Sequence, residues 1–187
     1  MKIIGITGYA GSGKSEIARI LRNLGYIVID LDKIGHEILK DDKTKKILKK
    51  EFGKEIFENG EINRKRLAKI VFSDENKLEK LNSMVHPLIK EKVLEKIRNL
   101  KEDIVFIDGA LIEKIGLSEI CDHIILINAS EETRLKRLVE LRKIPMEKAK
   151  NIIKAQKHIK YKYDFKIDNN KGLDMIKKDL FDIIEKF

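Results

Sequence analysis

The sequence predicts an α/β fold: a five-stranded parallel sheet with helices on both faces. Three observations lead there. Short apolar runs rich in Ile and Val recur at Lys2–Thr7, Tyr26–Asp30, Asp103–Asp108 and His123–Asn128, with a shorter, weaker one at Phe165–Asp168. The runs are continuous rather than alternating, which is how strands covered on both faces read. Stretches with apolar residues three and four apart separate them, as helical crossovers between parallel strands require.

Taken in order, Lys2–Thr7 (KIIGIT) forms the first strand and meets the Gly-rich segment Gly8–Ser15. From Lys14 onward Ile17, Ile20, Leu21 and Leu24 keep helical spacing, and Gly25 ends that helix. Tyr26–Asp30 (YIVID) follows as a second strand, so that Asp30 and Asp32, two residues apart at its end, point to the same side. From Lys33 to Leu100 the pattern is helical without strands. That block is too long for a plain crossover and reads as a helical insertion beside the sheet. Glu131–Leu141 and Met146–Lys157 form a helical pair around Pro145, and Leu173–Phe187 is a C-terminal amphipathic helix. The expected division is a core of 1–32, 101–137 and 162–187, an inserted domain at 33–100 and a lid at 138–161.

Composition narrows the function. The 187 residues suit one domain with a substantial insertion, and 42% hydrophobic against 38% charged is apolar enough for a buried core. No stretch approaches the roughly 18 apolar residues of a membrane span, and the N-terminus lacks a cleavable leader, so a cytoplasmic protein without membrane partners is expected. The single Cys121 excludes an intramolecular disulfide, and four scattered His show no zinc pattern. The net charge is +9, yet only eight of the 40 basic residues are Arg. Arg supplies the bidentate contacts that read bases, whereas dispersed Lys suits a solvated surface or attraction of a small anion, so charge alone does not point to nucleic acid.

The most informative segment is Gly8-Tyr9-Ala10-Gly11-Ser12-Gly13-Lys14-Ser15, which fits G-x-x-x-x-G-K-[ST] between a predicted strand and a predicted helix. Gly8, Gly11 and Gly13 let the backbone curl around Ser12 so that its amides and the helix N-terminus face a phosphate. Lys14 reaches the β- and γ-phosphates, and the Ser15 hydroxyl ligates Mg²⁺. The segment is read as a nucleoside triphosphate site. A GTPase needs N-K-x-D, and Asn170-Lys171-Gly172-Leu173 has Leu where the base-reading carboxylate belongs. Asp32-Lys33-Ile34-Gly35 fits a switch-type D-x-x-G but comes too early in the chain. Asp108 could serve as the acidic strand end of a motor, but at this length nothing remains for a track-binding domain.

The carboxyl ends of the strands in such a sheet face the phosphates, which puts Asp32 opposite the γ-phosphate. A carboxylate there accepts the proton of an attacking hydroxyl and, above all, orients it, because early abstraction from a weakly acidic alcohol is uphill. Asp32 could instead cap the helix expected from Lys33, and the two roles are compatible.

Over almost its whole length the chain resembles the dephospho-CoA kinases, P-loop kinases that use ATP to phosphorylate the 3′-hydroxyl of the dephospho-CoA ribose. The matching segments are TGYAGSGKS (7–15), VIDLDKIGHE (28–37), FGKEIFENGEINRKRLAKIVF (52–72), LNSMVHPLI (81–89), CDHIILINASEETRLKR (121–137), and KAQ with the later IDNN within 154–170. Their order and spacing carry the resemblance. It implies a P-loop kinase fold and ATP, Mg²⁺ and dephospho-CoA as ligands. It places the catalytic aspartate at Asp32, the phosphate-binding lysine at Lys14, the magnesium-ligating hydroxyl at Ser15 and a lid arginine at Arg137. It also sets Arg64 and His86 in the acceptor pocket and Asn169 near the adenine. A different small-molecule P-loop kinase and a nucleotide-gated binding module are the alternatives.

Two departures stand out. Asp108-Gly109-Ala110-Leu111-Ile112-Glu113 replaces the Pro-Leu-Leu-x-Glu of many relatives, and a second lid arginine aligns with Leu141 rather than Arg142. Which of Arg137 and Arg142 reaches the phosphates stays open at this stage, as does the oligomeric state. Arg64 and Arg66 also read as solvated helix residues, and His86 before Pro87 as the close of a helix junction. Lys157–Tyr163 (KHIKYKY) reads as a mobile, anion-attracting lid end, and the Lys-rich faces around it suggest few buried contacts.

Overall fold

The computed structural model describes residues 1–170 and 172–187; Lys171, within the stretch weighed as a guanine-reading motif, lies outside them. In chain order the elements are β1 (Lys2–Gly8), α1 (Lys14–Asn23), β2 (Ile27–Asp30), α2 (Leu31–Ile38) and α3 (Asp42–Phe52). A short hairpin of β3 (Phe57–Glu58) and β4 (Glu61–Ile62) precedes α4 (Arg64–Val71) and α5 (Glu75–Arg98). Then come β5 (Ile104–Asp108), β6 (His123–Asn128), α6 (Glu131–Glu140), α7 (Met146–Ala155), β7 (Phe165–Asp168) and α8 (Leu173–Ile184). The chain forms two compact units, one of Met1–Ile29 with Lys101–Phe187 and one of Asp30–Leu100.

The first unit carries the five-stranded sheet in the order β2-β5-β1-β6-β7. Parallel registers run from Lys2↔Ile104 to Ile6↔Asp108 and from Ile4↔His123 to Gly8↔Ile127, so β1 lies central and its end is flanked on both sides. Ile4, Ile6, Phe106, Ile125, Ile127 and Ile167 pack with Ile17 and Leu21 of α1 and with Ile176 and Leu180 of α8. This buried apolar face fixes where β1 delivers the chain into Gly8–Ser15. The expected strands, the first helix and the helical pair all form. The pair's helices end at Glu140 and Ala155, one and two residues short of their expected ends.

That pair differs from expectation in its packing. Leu138, Ala149 and Ile153 are buried together with Ala10, Leu135, Val139 and Ile144 against them, so the segment has an apolar core of its own rather than few buried contacts. The exposed lysines conceal this because each helix turns only a narrow stripe inward.

The second unit departs from the all-helical expectation. β3 and β4 pair antiparallel, Phe57↔Ile62 and Glu58↔Glu61, about a turn in which Asn59 has φ 51° and Gly60 φ 81°. Two successive positive φ values define the hairpin turn that Asn-Gly favours. Leu48, Phe52, Ile56, Leu67 and Val71 form this unit's core.

The strand leading into the second unit ends at Asp30 as expected, but Asp32 does not extend it. β2 stops at Asp30, whose carboxylate accepts from the Asp32 and Lys33 amides at 3.0 and 3.1 Å and caps α2. Asp30 and Asp32 therefore do not share one side of a strand, and Asp32 is an exposed first-turn residue rather than the cap. Asp32 gains from the positive helix end there. Pro87 lies inside the continuous α5, so His86 closes no junction: the helix tolerates the missing amide while Ile89, Val93 and Ile97 bury its C-terminal half. α2 packs against α5, with Ile89 Cδ1 3.9 Å from where a Cβ on Gly35 would stand. Since that spacing is ordinary contact and the position is helical, Gly35→Ala should raise stability by about 0.5–1 kcal/mol, read from the urea midpoint at constant slope; a loss would mean the α2–α5 packing is tighter than described.

Candidate active site

The loop after β1 is built by what holds its outer side. Every carbonyl from Gly8 to Gly13 accepts a hydrogen bond. Ser12 N donates to Tyr9 O (3.0 Å), and Glu16 N and Ile17 N donate to Gly13 O (2.9 and 3.3 Å). Arg134 Nε donates to Ala10 O (3.0 Å), and Asn169 Nδ2 to Ser12 O (2.8 Å). Arg137 Nη1 donates to Ser12 O (3.2 Å) and Gly11 O (3.5 Å), and the Tyr161 hydroxyl to Gly8 O (3.4 Å). With the carbonyls engaged, the curl leaves the Lys14 and Ser15 amides at the start of α1 as donors, since the earliest amides of a helix have no partner within it.

The start of α1 is suited to an anion. Asp30, Asp41, Asn63, Asp74 and Ser130 cap α2 to α6 with their own side chains, whereas α1 begins at Gly13 with no side-chain cap, as α7 and α8 also do. Gly13 has φ +94°, and a Cβ there would stand 2.0 Å from Asn169 Nδ2. Beside it the buried Ser12 Oγ has no hydrogen-bond partner, an orphaned polar atom next to the uncapped helix start. Lys14 Nζ is ion-paired with the Asp108 carboxylate, both largely shielded from water. Asp108 reaches it because β5 lies beside β1 with Ile6 opposite Asp108. Ser15, exposed on the first turn, is free to face solvent or an ion.

Arg137 and Asn169 come together as a support. Arg137 Nη2 donates to Asn169 O and Oδ1 (2.9 and 3.1 Å), and Asn169 is 3% exposed. Burial without a carboxylate partner lowers the Arg137 pKa. The Asn169 side chain is thus committed to the loop rather than open. Arg142 lies beyond α6, exposed, its amide bonded to Arg137 O (3.2 Å), so of the two arginines Arg137 holds the loop.

The second unit brings another group together. Asp32 and His36 sit one turn apart on α2, both exposed, and Arg64 Nη1 lies 2.6 Å from His36 Nε2. A guanidinium carries donors only, so His36 Nε2 is the accepting atom of this contact. Arg66 is tied to the hairpin, donating to Phe57 O (2.6 Å) and Glu58 (2.8 Å), and is not a freely solvated residue. His86 is half-buried on α5.

Sequence reasoning missed Asp108 as the Lys14 partner, Arg134, Gln156, Tyr9 and Tyr161 at the loop, and His36 beside Arg64. Only Asp108, an acidic residue ending an apolar strand, carried a local signal. Burial pushes the Cys121 thiol up to about 12, which keeps it inert.

Comparison with known proteins points to one family. The dephospho-CoA kinase family profile matches residues 2–174. A dephospho-CoA kinase of Fusobacterium nucleatum is 38% identical over 194 residues, covering 99% of this chain and 96% of the relative. One from Listeria innocua is 35% identical over 195 residues, covering 100% and 97%. Among solved structures, a dephospho-CoA kinase from Campylobacter jejuni is 28% identical with a TM-score of 0.70, covering 100% of this chain and 97% of its own.

The Gly13 contacts yield a direct test. Gly13→Ala forces a left-handed φ on an L residue and drives its Cβ into Asn169, so nucleotide affinity measured by calorimetry should fall by about 30- to 100-fold, the equivalent of roughly 2–3 kcal/mol. Unchanged affinity would show that the loop is not shaped by this contact.

Proposed function

This chain belongs to the dephospho-CoA kinase family, and we propose that it transfers the γ-phosphoryl group of ATP to the 3′-hydroxyl of dephospho-CoA, giving CoA. The observation that carries the reading is the loop Gly8–Ser15, its carbonyls bound outward and its helix start uncapped, in a chain the family matches nearly end to end.

The division of labour follows from the chemistry. Amides at the start of α1 and the Lys14 ammonium hold the β- and γ-phosphates, Lys14 exchanging Asp108 for phosphate oxygens of greater negative charge. Arg137 adds positive charge beside Ser12 and Gly13. Asp32 accepts a hydrogen bond from the acceptor 3′-hydroxyl, aligns its lone pair with the γ-phosphorus, and takes the proton as the new P–O bond forms and the bond to the ADP oxygen breaks. Arg64, steadied by His36, and His86 serve the acceptor side. The Asn169 segment serves the adenine side, its own side chain fixing the loop.

Mg²⁺ with ATP completes the proposed site, and the donors suit it. Ser15 offers an exposed hydroxyl, and among the described residues no cluster of three His, Cys, Asp or Glu forms, which fits an ion carried mainly by phosphates and water. When bound, the ion neutralises charge gathering on the phosphate oxygens.

The domain reading is part of the proposal: core 1–32, 101–137 and 162–187, acceptor-binding insertion 33–100 and lid 138–161. The lid excludes water, which would otherwise compete with the sugar hydroxyl for the phosphoryl group. No helix among the described residues is long and apolar enough to cross a membrane.

Release of ADP coupled to a panel of acceptors tests the reaction: turnover with dephospho-CoA well above that with nucleosides or nucleoside monophosphates is expected, and the reverse order would contradict it. Two variants assign the roles. Lys14→Ala should abolish transfer and weaken ATP binding at least ~10-fold, with turnover like the parent excluding Lys14. Asp32→Asn should lower kcat by roughly 10²-fold at little cost to ATP affinity, and because Asp30 caps α2 its melting temperature should hold. Full activity would remove Asp32 from the chemistry.

A further inference from the structure

The tip of the loop is gripped by a residue to which neither the family match nor the reaction gives a role. Gln156, the residue that closes α7, places Oε1 3.0 Å from Ala10 N and 2.7 Å from Arg134 Nη2, and Arg134 Nε donates in turn to Ala10 O (3.0 Å). One residue of the loop, Ala10, is therefore held at both its amide and its carbonyl by a ring of three bonds. Arg134 is 6% exposed, lies over the Tyr9 ring at 4.6 Å to the centroid, and has its pKa lowered by burial. The Gln156 oxygen is the neutral acceptor that satisfies this buried cation. Around it Tyr9 donates its hydroxyl to Ile159 O (2.9 Å) and meets Tyr161 edge-on at 4.9 Å, so the chain just past α7 is fastened to the same tip.

We propose that Gln156 is a positioning residue for nucleotide binding: acting through Ala10 and Arg134, it holds the loop in the curl that aims its later amides at the phosphates, and it ties that curl to the lid. The inference rests on the nucleotide reading of the loop above. Gly11 and Gly13 make the loop conformationally loose, and a loose cradle must be ordered by its ligand at a cost in affinity. Removing the acceptor frees the Ala10 amide and strands the buried Arg134 donors, which lets the loop leave the binding curl. An acceptor of the same length at position 156 preserves it.

The test compares the unsubstituted protein with Gln156→Leu and Gln156→Glu. It measures Mg·ADP affinity by calorimetry, KM for ATP and for dephospho-CoA separately, and thermal unfolding. Gln156→Leu should weaken Mg·ADP and raise KM for ATP by about 5- to 20-fold, leaving KM for dephospho-CoA within about 2-fold. Gln156→Glu, which restores the acceptor, should recover most of the nucleotide affinity. Parent-like nucleotide affinity in Gln156→Leu would overturn the proposal. So would equal losses in both variants, or a fall in melting temperature and kcat with both KM values unchanged, since each marks a merely structural role. If the unsubstituted protein fails to bind Mg·ADP, the nucleotide reading itself falls, and that is seen in the first arm.

Discussion

The constraint on which the rest of the structure depends is the disposal of the backbone carbonyls in a six-residue curl. A loop that turns its amides toward a phosphate must turn its carbonyls away, and carbonyls pushed against protein need donors. Tyr9 O and Gly13 O take local amides, and the other four carbonyls take donors from distant parts of the chain: Arg134 and Arg137 on α6, Asn169 after β7, and Tyr161 before it. The placement of β1 between β5 and β6 and of β7 beside β6 is what brings those groups to one place. The Ile-rich core beneath them keeps it rigid, so the fold acts as a scaffold for one short loop.

Charge is handled with the same economy. Lys14 is held by Asp108 on the neighbouring strand, so its ammonium is desolvated yet neutralised. Arg134 and Arg137 are bound instead by carbonyl and amide oxygens, and burial lowers the pKa of both. Two guanidinium groups near the loop with neutral partners leave net positive potential for a polyanion, while Asp108 offsets the charge of Lys14. In the second unit the Arg64 guanidinium likewise meets a ring nitrogen of His36 rather than a carboxylate.

Local signals made much of this legible. The loop is a contiguous motif, and the sheet announced itself through continuous apolar runs, each of which forms a strand. What lay beyond reach was tertiary or hidden by rival local choices. Asp30 and Asp32 are both good caps, and only the backbone decides that Asp30 takes the role, ending β2 and starting α2 at Leu31. The hairpin was signalled by Asn59-Gly60, but two-residue strands leave no alternation to notice. The helical pair looked loosely packed because its lysines outnumber the few buried residues that hold it. The Gln156–Ala10 bond spans 146 residues, and no periodicity foretells it.

The central claim is that the loop is already shaped for phosphate by bonds from behind, and a crystal structure of the Mg·ADP complex tests it most directly. The account predicts that the backbone of 8–15 keeps its present course, with Arg134 still on Ala10 O, Asn169 still on Ser12 O, and the β-phosphate on the amides of Gly13, Lys14 and Ser15. A complex in which those carbonyls have released their donors and the loop has refolded around the nucleotide would contradict it.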